Sequence, residues 1–176
     1  MMRNSGERSE PGTKPVRLAE RRVFSESFNP LYKEGMSLVE ETAQYLDTDG
    51  RKAAKTLSRT AATLYAAESM RLTTRLMQIA SWLLLQRAAR SGEMTVEQVA
   101  QEKTKIRLDT QSASADAQGW QELPNRFRDL VNHSLRLQKV VRGLDQQIYG
   151  DDDEADNGRN AVTDQIELLK TAFANG

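Results

Sequence analysis

The side chains best suited to bond chemistry are few in this chain. The sole histidine, His133, is followed by Ser134, and proton transfer through it would require carboxylates or further ring nitrogens converging on it. No spacing in the sequence brings any there. Glu40-Glu41 and the run Asp151, Asp152, Asp153, Glu154 and Asp156 supply paired acids, but sequence neighbours on a helix or in a flexible run point in different directions, whereas acid–base work needs fixed geometry. There is no cysteine, which removes disulfides, thiolate nucleophiles and cysteine-based zinc or iron–sulfur sites. A phosphate-cradling glycine loop and a G-x-S-x-G elbow are also missing. The expectation is a protein that is not an enzyme, with no cofactor and no metal.

Recognition chemistry is better represented. In Met70 to Arg90, MRLTTRLMQIASWLLLQRAAR, Arg71, Arg75, Gln78, Trp82 and Gln86 step at four, three, four and four and therefore share one helix face. A tryptophan framed by arginine and glutamine is the composition of interface hot spots, which makes these five the candidate partner-binding residues. The other reading is that Trp82 packs against a neighbouring helix and that Arg75 and Gln86 only cap the core. The residues leave both open.

Basic groups gather at Arg51, Lys52, Lys55 and Arg59 and again at Lys103, Lys105 and Arg107. Such clusters can hold phosphates, yet Lys plus Arg and Asp plus Glu both count 25, so no large positive field draws the molecule to a nucleic acid. Acids intersperse the clusters and no stacking aromatics accompany them. A solvated helix face is favoured; a small helical DNA-binding or transcription-associated regulator is the alternative.

The elements that position these groups follow from periodicity. Four prolines, ten glycines and 28% charged residues in 176 favour helix, and no β-branched run alternates as a strand would. Residues 1–25 form a mildly basic tail without apolar period, expected to be disordered. A first helix follows Asn29, with Pro30 at its first position, and carries Leu31, Gly35, Leu38, Thr42 and Tyr45 at alternating spacings of four and three. After a turn at Thr48-Asp49-Gly50, a second helix of about 40 residues is expected, roughly 60 Å long at 1.5 Å per residue. Its stripe reads Ala54, Leu57, Ala61, Leu64 or Tyr65, Leu72, Leu76, Ile79 and Leu83.

Ser91-Gly92 ends that helix, and Thr95-Val96-Glu97-Gln98 is a capping box opening a short helix to about Arg107. Asp109 to Gly119 reads as a loop. Leu123, Phe127, Leu130, Ser134, Leu137, Val141, Leu144 and Ile148 then keep heptad spacing in a third long helix. Residues 151–176 open with packed acids that repel and end in a short amphipathic segment, Val162, Ile166, Leu168, Leu169 and Phe173. The expected fold is all-α: an antiparallel three-helix bundle over residues 26–150, with one long central helix and a short extra helix between disordered tails. Excess apolar length on the second helix points to a homodimer. The polar start shows no secretory signal and no stretch reaches membrane-spanning length, so a cytoplasmic protein without membrane contact is expected.

The block Leu72 to Glu93, LTTRLMQIASWLLLQRAARSGE, the short capped helix, KIRL, and LPNRFRDLVNHSLRLQKVVRGLD together resemble the alphaproteobacterial family of regulators of CtrA degradation, the RcdA family. The resemblance covers about Ser27 to Tyr149. It implies a dimeric three-helix adaptor that helps the ClpXP protease degrade particular substrates in cell-cycle control, in concert with a response-regulator-like partner and recruited to a cell pole, and a flexible C-terminal tail. None of this is read from composition or spacing.

Overall fold

The computed structural model describes the backbone of residues 16–173 and the side chains of residues 26–150. The first part of the expected basic tail and the last three residues lie outside the described residues, as do the side chains of the C-terminal amphipathic segment. Among the described residues every regular element is helical. The order is α1 (Val16–Asp47), α2 (Asp49–Ala54), α3 (Arg59–Ser91), α4 (Val96–Lys103), a single 3-10 turn (Trp120–Glu122) and α5 (Asn125–Phe173).

The chain divides into two compact units, Met1–Glu34 and Gly35–Gly176. In the first, α1 starts before the expected N-cap at Asn29, and Pro30 lies inside it. A mid-helix proline removes one hydrogen bond; here the helix continues through it. Phe28 and Tyr32, one turn apart, bring their rings to 6.1 Å.

The second unit holds the bundle. The expected second helix is interrupted, and this corrects the sequence reading. Thr56 bonds back through Oγ1 to the Ala53 carbonyl at 2.9 Å, and Ser58 caps a new helix by accepting from the Ala61 N–H at 3.2 Å. Serine and threonine hydroxyls compete with the helix ladder for backbone groups, so a helix can restart here without proline or glycine. Gly92 closes α3 in the left-handed conformation at φ 75°, as a helix C-terminus prefers. The capping box is present as read: Thr95 and Gln98 each bond the other's backbone N–H.

The core is the apolar stripe of α3 laid on the heptad seam of α5. Leu72, Leu76, Ile79 and Leu83 are buried from one side, and Leu123, Phe127, Leu130, Leu137 and Val141 from the other. The seam opens toward its far end, where Ile148 is 37% exposed. A Cβ placed on Gly35 would strike Leu83 and lie 3.8 Å from Leu137, whereas Tyr45, ten residues on, stacks on Phe127 at 6.4 Å and Phe127 meets Tyr65 at 4.5 Å. An Arg126–Glu41 ion pair adds a polar link between α1 and α5.

Progress from Gly35 to Tyr45 therefore runs backward along both α3 and α5. The part of α1 from Gly35 on is antiparallel to each, but α3 and α5 run parallel, unlike the fully antiparallel set expected. The connection explains it. α4 folds back on α3 and residues 104–119 then descend the length of α3, returning the chain to the end where α3 began, with Gly119 at φ 88° set 3.0 Å from the Ala61 Cα for an added Cβ.

Candidate functional site

The five residues singled out on α3 are brought together, but mostly inward. Trp82 is 0%, Arg75 1% and Gln86 4% exposed; Gln78 is half-buried and only Arg71 is exposed. Each reaches another part of the same chain. Gln78 Oε1 accepts the Arg107 N–H at 2.9 Å. Arg75 donates from Nε to the Thr110 carbonyl at 3.2 Å, from Nη2 to Ser112 Oγ at 2.8 Å and from Nη1 to Ser134 Oγ at 2.8 Å. Arg71 pairs with Glu68, one turn earlier on its own helix.

The upper pair turns to α5. Trp82 Nε1 donates to Asp145 Oδ1 at 2.9 Å, and Gln86 Nε2 to the Tyr149 hydroxyl at 2.8 Å. Lys103 of α4 joins them, 3.6 Å from Asp145 Oδ2 and 4.6 Å from the centre of the Tyr149 ring. So the face reads as two polar clamps. Glu68, Arg75 and Gln78 hold the descending segment, while Trp82 and Gln86 hold α5 and, through Asp145 and Tyr149, α4. In this chain Trp82 belongs to the core.

Glu68 was not singled out from the sequence, yet it is fully buried. Its Oε1 accepts the Ala113 N–H at 2.9 Å, and its Oε2 has no hydrogen-bond partner. Burial acts to raise its pKa, but hydrogen bonds from the Ala113 N–H, Ser112 and Arg71, with the charge of Arg71, outweigh burial and hold it below the ordinary carboxylate range. Burial pushes the Arg75 guanidinium down, against the pull of Glu68. Two charges out of water are tolerable only when hydrogen-bonded nearly completely, which is the arrangement of Arg75. The sequence did carry one signal for it: Ser134 is the polar break in an otherwise apolar seam.

A second cluster lies at the other end. Tyr45 and Tyr65 are both buried with hydroxyls lacking a hydrogen-bond partner, and Gly50 packs against both rings. Burial, then Tyr65 and Asp49, raise the Tyr45 pKa to about 12.

Among the described residues no group of three or more histidine, cysteine or acidic side chains is placed to hold a metal, and no helix is long and apolar enough to cross a membrane. His133 is half-buried on α5. Two concavities are open: one of about 470 Å³ over Arg59, Thr63, Ala67 and Arg71, another of about 450 Å³ between α3 and α4 over Ser81, Leu84, Met94 and Ile106. The basic residues Arg51 and Lys52 pair with Asp47 and Asp49, and Lys105 with Glu102.

These features define an all-helical bundle protein whose most distinctive polar side chains fasten its own chain. A family model described as protein of unknown function (DUF1465) matches residues 19–173. The crystal structure of RcdA from Caulobacter crescentus CB15 is similar at 48% sequence identity, covering 71% of this chain and 93% of that one, with a TM-score of 0.58. The chain belongs to this family and to that of RcdA. No curated protein matches it.

Proposed function

We propose that this protein is a non-enzymatic adaptor for regulated proteolysis, acting as RcdA is expected to act on CtrA degradation. The observation that carries the reading is the 48% identity over 93% of the RcdA chain and 71% of this one. In this reading the protein brings substrate proteins to the ClpXP machinery with a response-regulator-like partner, in the cytoplasm and at a cell pole. Its mechanism is raised effective concentration, with no bond made or broken.

The recruiting surface of this reading is the outer side of α3. Arg71 and Gln78 remain accessible there, with Arg75, Trp82 and Gln86 as their buried support. Beside them Met70, Met77 and Leu84 are 73%, 63% and 50% exposed and repeat every seven residues, a stripe suited to a second helix. A homodimer through that stripe belongs to the proposal; a monomer mass by light scattering at micromolar concentration would end that part of it.

The deciding experiment is reconstituted degradation. The full chain, added to the unfoldase, its peptidase and a response-regulator substrate of the native host, should accelerate loss of that substrate, and deletion of the gene should lengthen the substrate's half-life. An unchanged half-life, with no capture of the unfoldase or of a response regulator from the host, would overturn the reading.

A further inference from the structure

Residues 104–119 cover α3 without burying a single side chain of their own: each is exposed or half-buried. Segments with few buried apolar contacts open first. Four hydrogen bonds from α3 hold the covering, at Arg107 N, Thr110 O, Ser112 Oγ and Ala113 N. Three of the four are to backbone atoms, so they read an extended main chain more than any particular side chain. Beneath, the donors and acceptors are part of the core, with Glu68 and Arg75 at 0% and 1% exposure. One atom there is unused, the buried Glu68 Oε2.

We propose that residues 104–119 are a displaceable strap, and that the α3 face under it is a slot for an extended, serine-bearing peptide segment of a partner protein. The strap itself shows what the slot accepts. It offers a carbonyl to Arg75 Nε, a hydroxyl two residues later to Nη2, and an N–H one residue further to Glu68, with small side chains between. A partner segment in the same register that adds a donor at Glu68 Oε2 satisfies an acceptor the strap leaves empty, and so competes with it. Displacement leaves Arg75 paired because the incoming peptide replaces each lost bond. The slot is independent of the adaptor reading: a chain that recruits no protease would still open and capture a peptide.

The test uses the intact protein and a labelled peptide of residues 106–117, IRLDTQSASADA, added in trans. Ser112→Ala in the protein removes the strap hydroxyl that accepts from Arg75 and hydrogen-bonds Glu68, and leaves the slot residues themselves unchanged. It should bind the peptide at least about tenfold more tightly than the wild type does, since even one hydrogen bond to a charged group carries that weight. The Arg107 and Ala113 amides should exchange with solvent faster by a similar factor, and Glu68→Gln on the Ser112→Ala background should weaken capture. Absence of capture by the Ser112→Ala protein, or exchange of the Arg107 and Ala113 amides only in step with the Leu76 amide of the core, makes the strap a fixed brace and overturns the proposal. A mass of the Ser112→Ala protein without peptide twice that of the wild type would give the slot to a second copy of this chain and overturn it too.

Discussion

Arg75 of α3 and Ser134 of α5, 59 residues apart, meet in the core through a 2.8 Å hydrogen bond. The serine hydroxyl also donates to the Val131 carbonyl at 2.7 Å, so it serves as acceptor and donor at once. Ser134→Ala would strand Arg75 Nη1 in a buried site, and an unsatisfied buried donor costs about 1–3 kcal/mol. Urea denaturation should show a loss of that size with the slope unchanged. A midpoint equal to the wild type would mean that the guanidinium finds another acceptor and that the pairing of α3 with α5 does not depend on the serine.

Trp82 separates packing from hydrogen bonding. It is fully buried and donates to Asp145 at 2.9 Å, so Trp82→Ala should cost about 3–5 kcal/mol through lost burial and the cavity left behind. Trp82→Phe keeps most of the ring, loses the donor and should cost less. Thermal unfolding followed by circular dichroism ranks them; an alanine variant as stable as the wild type would place the indole outside the core.

Much of this fold was legible in sequence because period carries burial. The seam from Leu123 to Val141 and the stripe from Leu72 to Leu83 are buried as spaced, and the Thr95 capping box formed as read. The five-residue face on α3 was legible as a set but not in its purpose, since the same arginine, glutamine and tryptophan chemistry fits a partner or a distant stretch of the same chain. Within the chain these side chains meet residues 104–119 along α3 and Asp145 and Tyr149 of α5, and a segment with no apolar period gives no sign of where it will lie. The break at Ser58 was missed because hydroxyl capping needs neither proline nor glycine. The helical placement of Gly50 was missed because glycine beside Asp49 is also turn chemistry.

Gly50 occupies α2 for want of room. A Cβ there would lie 2.5 Å from the Tyr65 hydroxyl, 2.8 Å from Tyr45 Cε1 and 2.9 Å from the Tyr45 carbonyl. The carbonyl is backbone and cannot step aside. Alanine normally improves a helix over glycine by roughly 0.5–1 kcal/mol, but here overpacking of about 1–3 kcal/mol should win. The expected result for Gly50→Ala is a lower thermal midpoint; a higher one would show that the two rings move apart freely.

Glu68 should shape the acid limb of stability. Its pKa is depressed in the fold, so its contribution is present above the ordinary carboxylate value and is lost as pH falls through that value toward the folded one. Glu68→Gln lacks this term. Stabilities of the two proteins, measured by urea between about pH 7 and pH 3, should therefore converge on acidification. Parallel curves would mean that the carboxylate gains nothing from Ala113, Ser112 and Arg71.

Tyr45 should shape the alkaline limb with the opposite sign. Its folded pKa is raised to about 12, first by burial and then by Tyr65 and Asp49, so the neutral form is favoured. The associated stability is complete below the ordinary value of about 10 and is lost as pH rises from there through 12. Its hydroxyl also has no hydrogen-bond partner, which makes Tyr45→Phe inexpensive at neutral pH, within about 1 kcal/mol of the wild type or more stable. Above pH 10 the phenylalanine variant should hold its urea midpoint better than the wild type, leaving only the smaller loss from Tyr65, whose pKa burial also raises. Identical alkaline limbs for the two proteins would place the titrating group elsewhere and remove Tyr45 from the account.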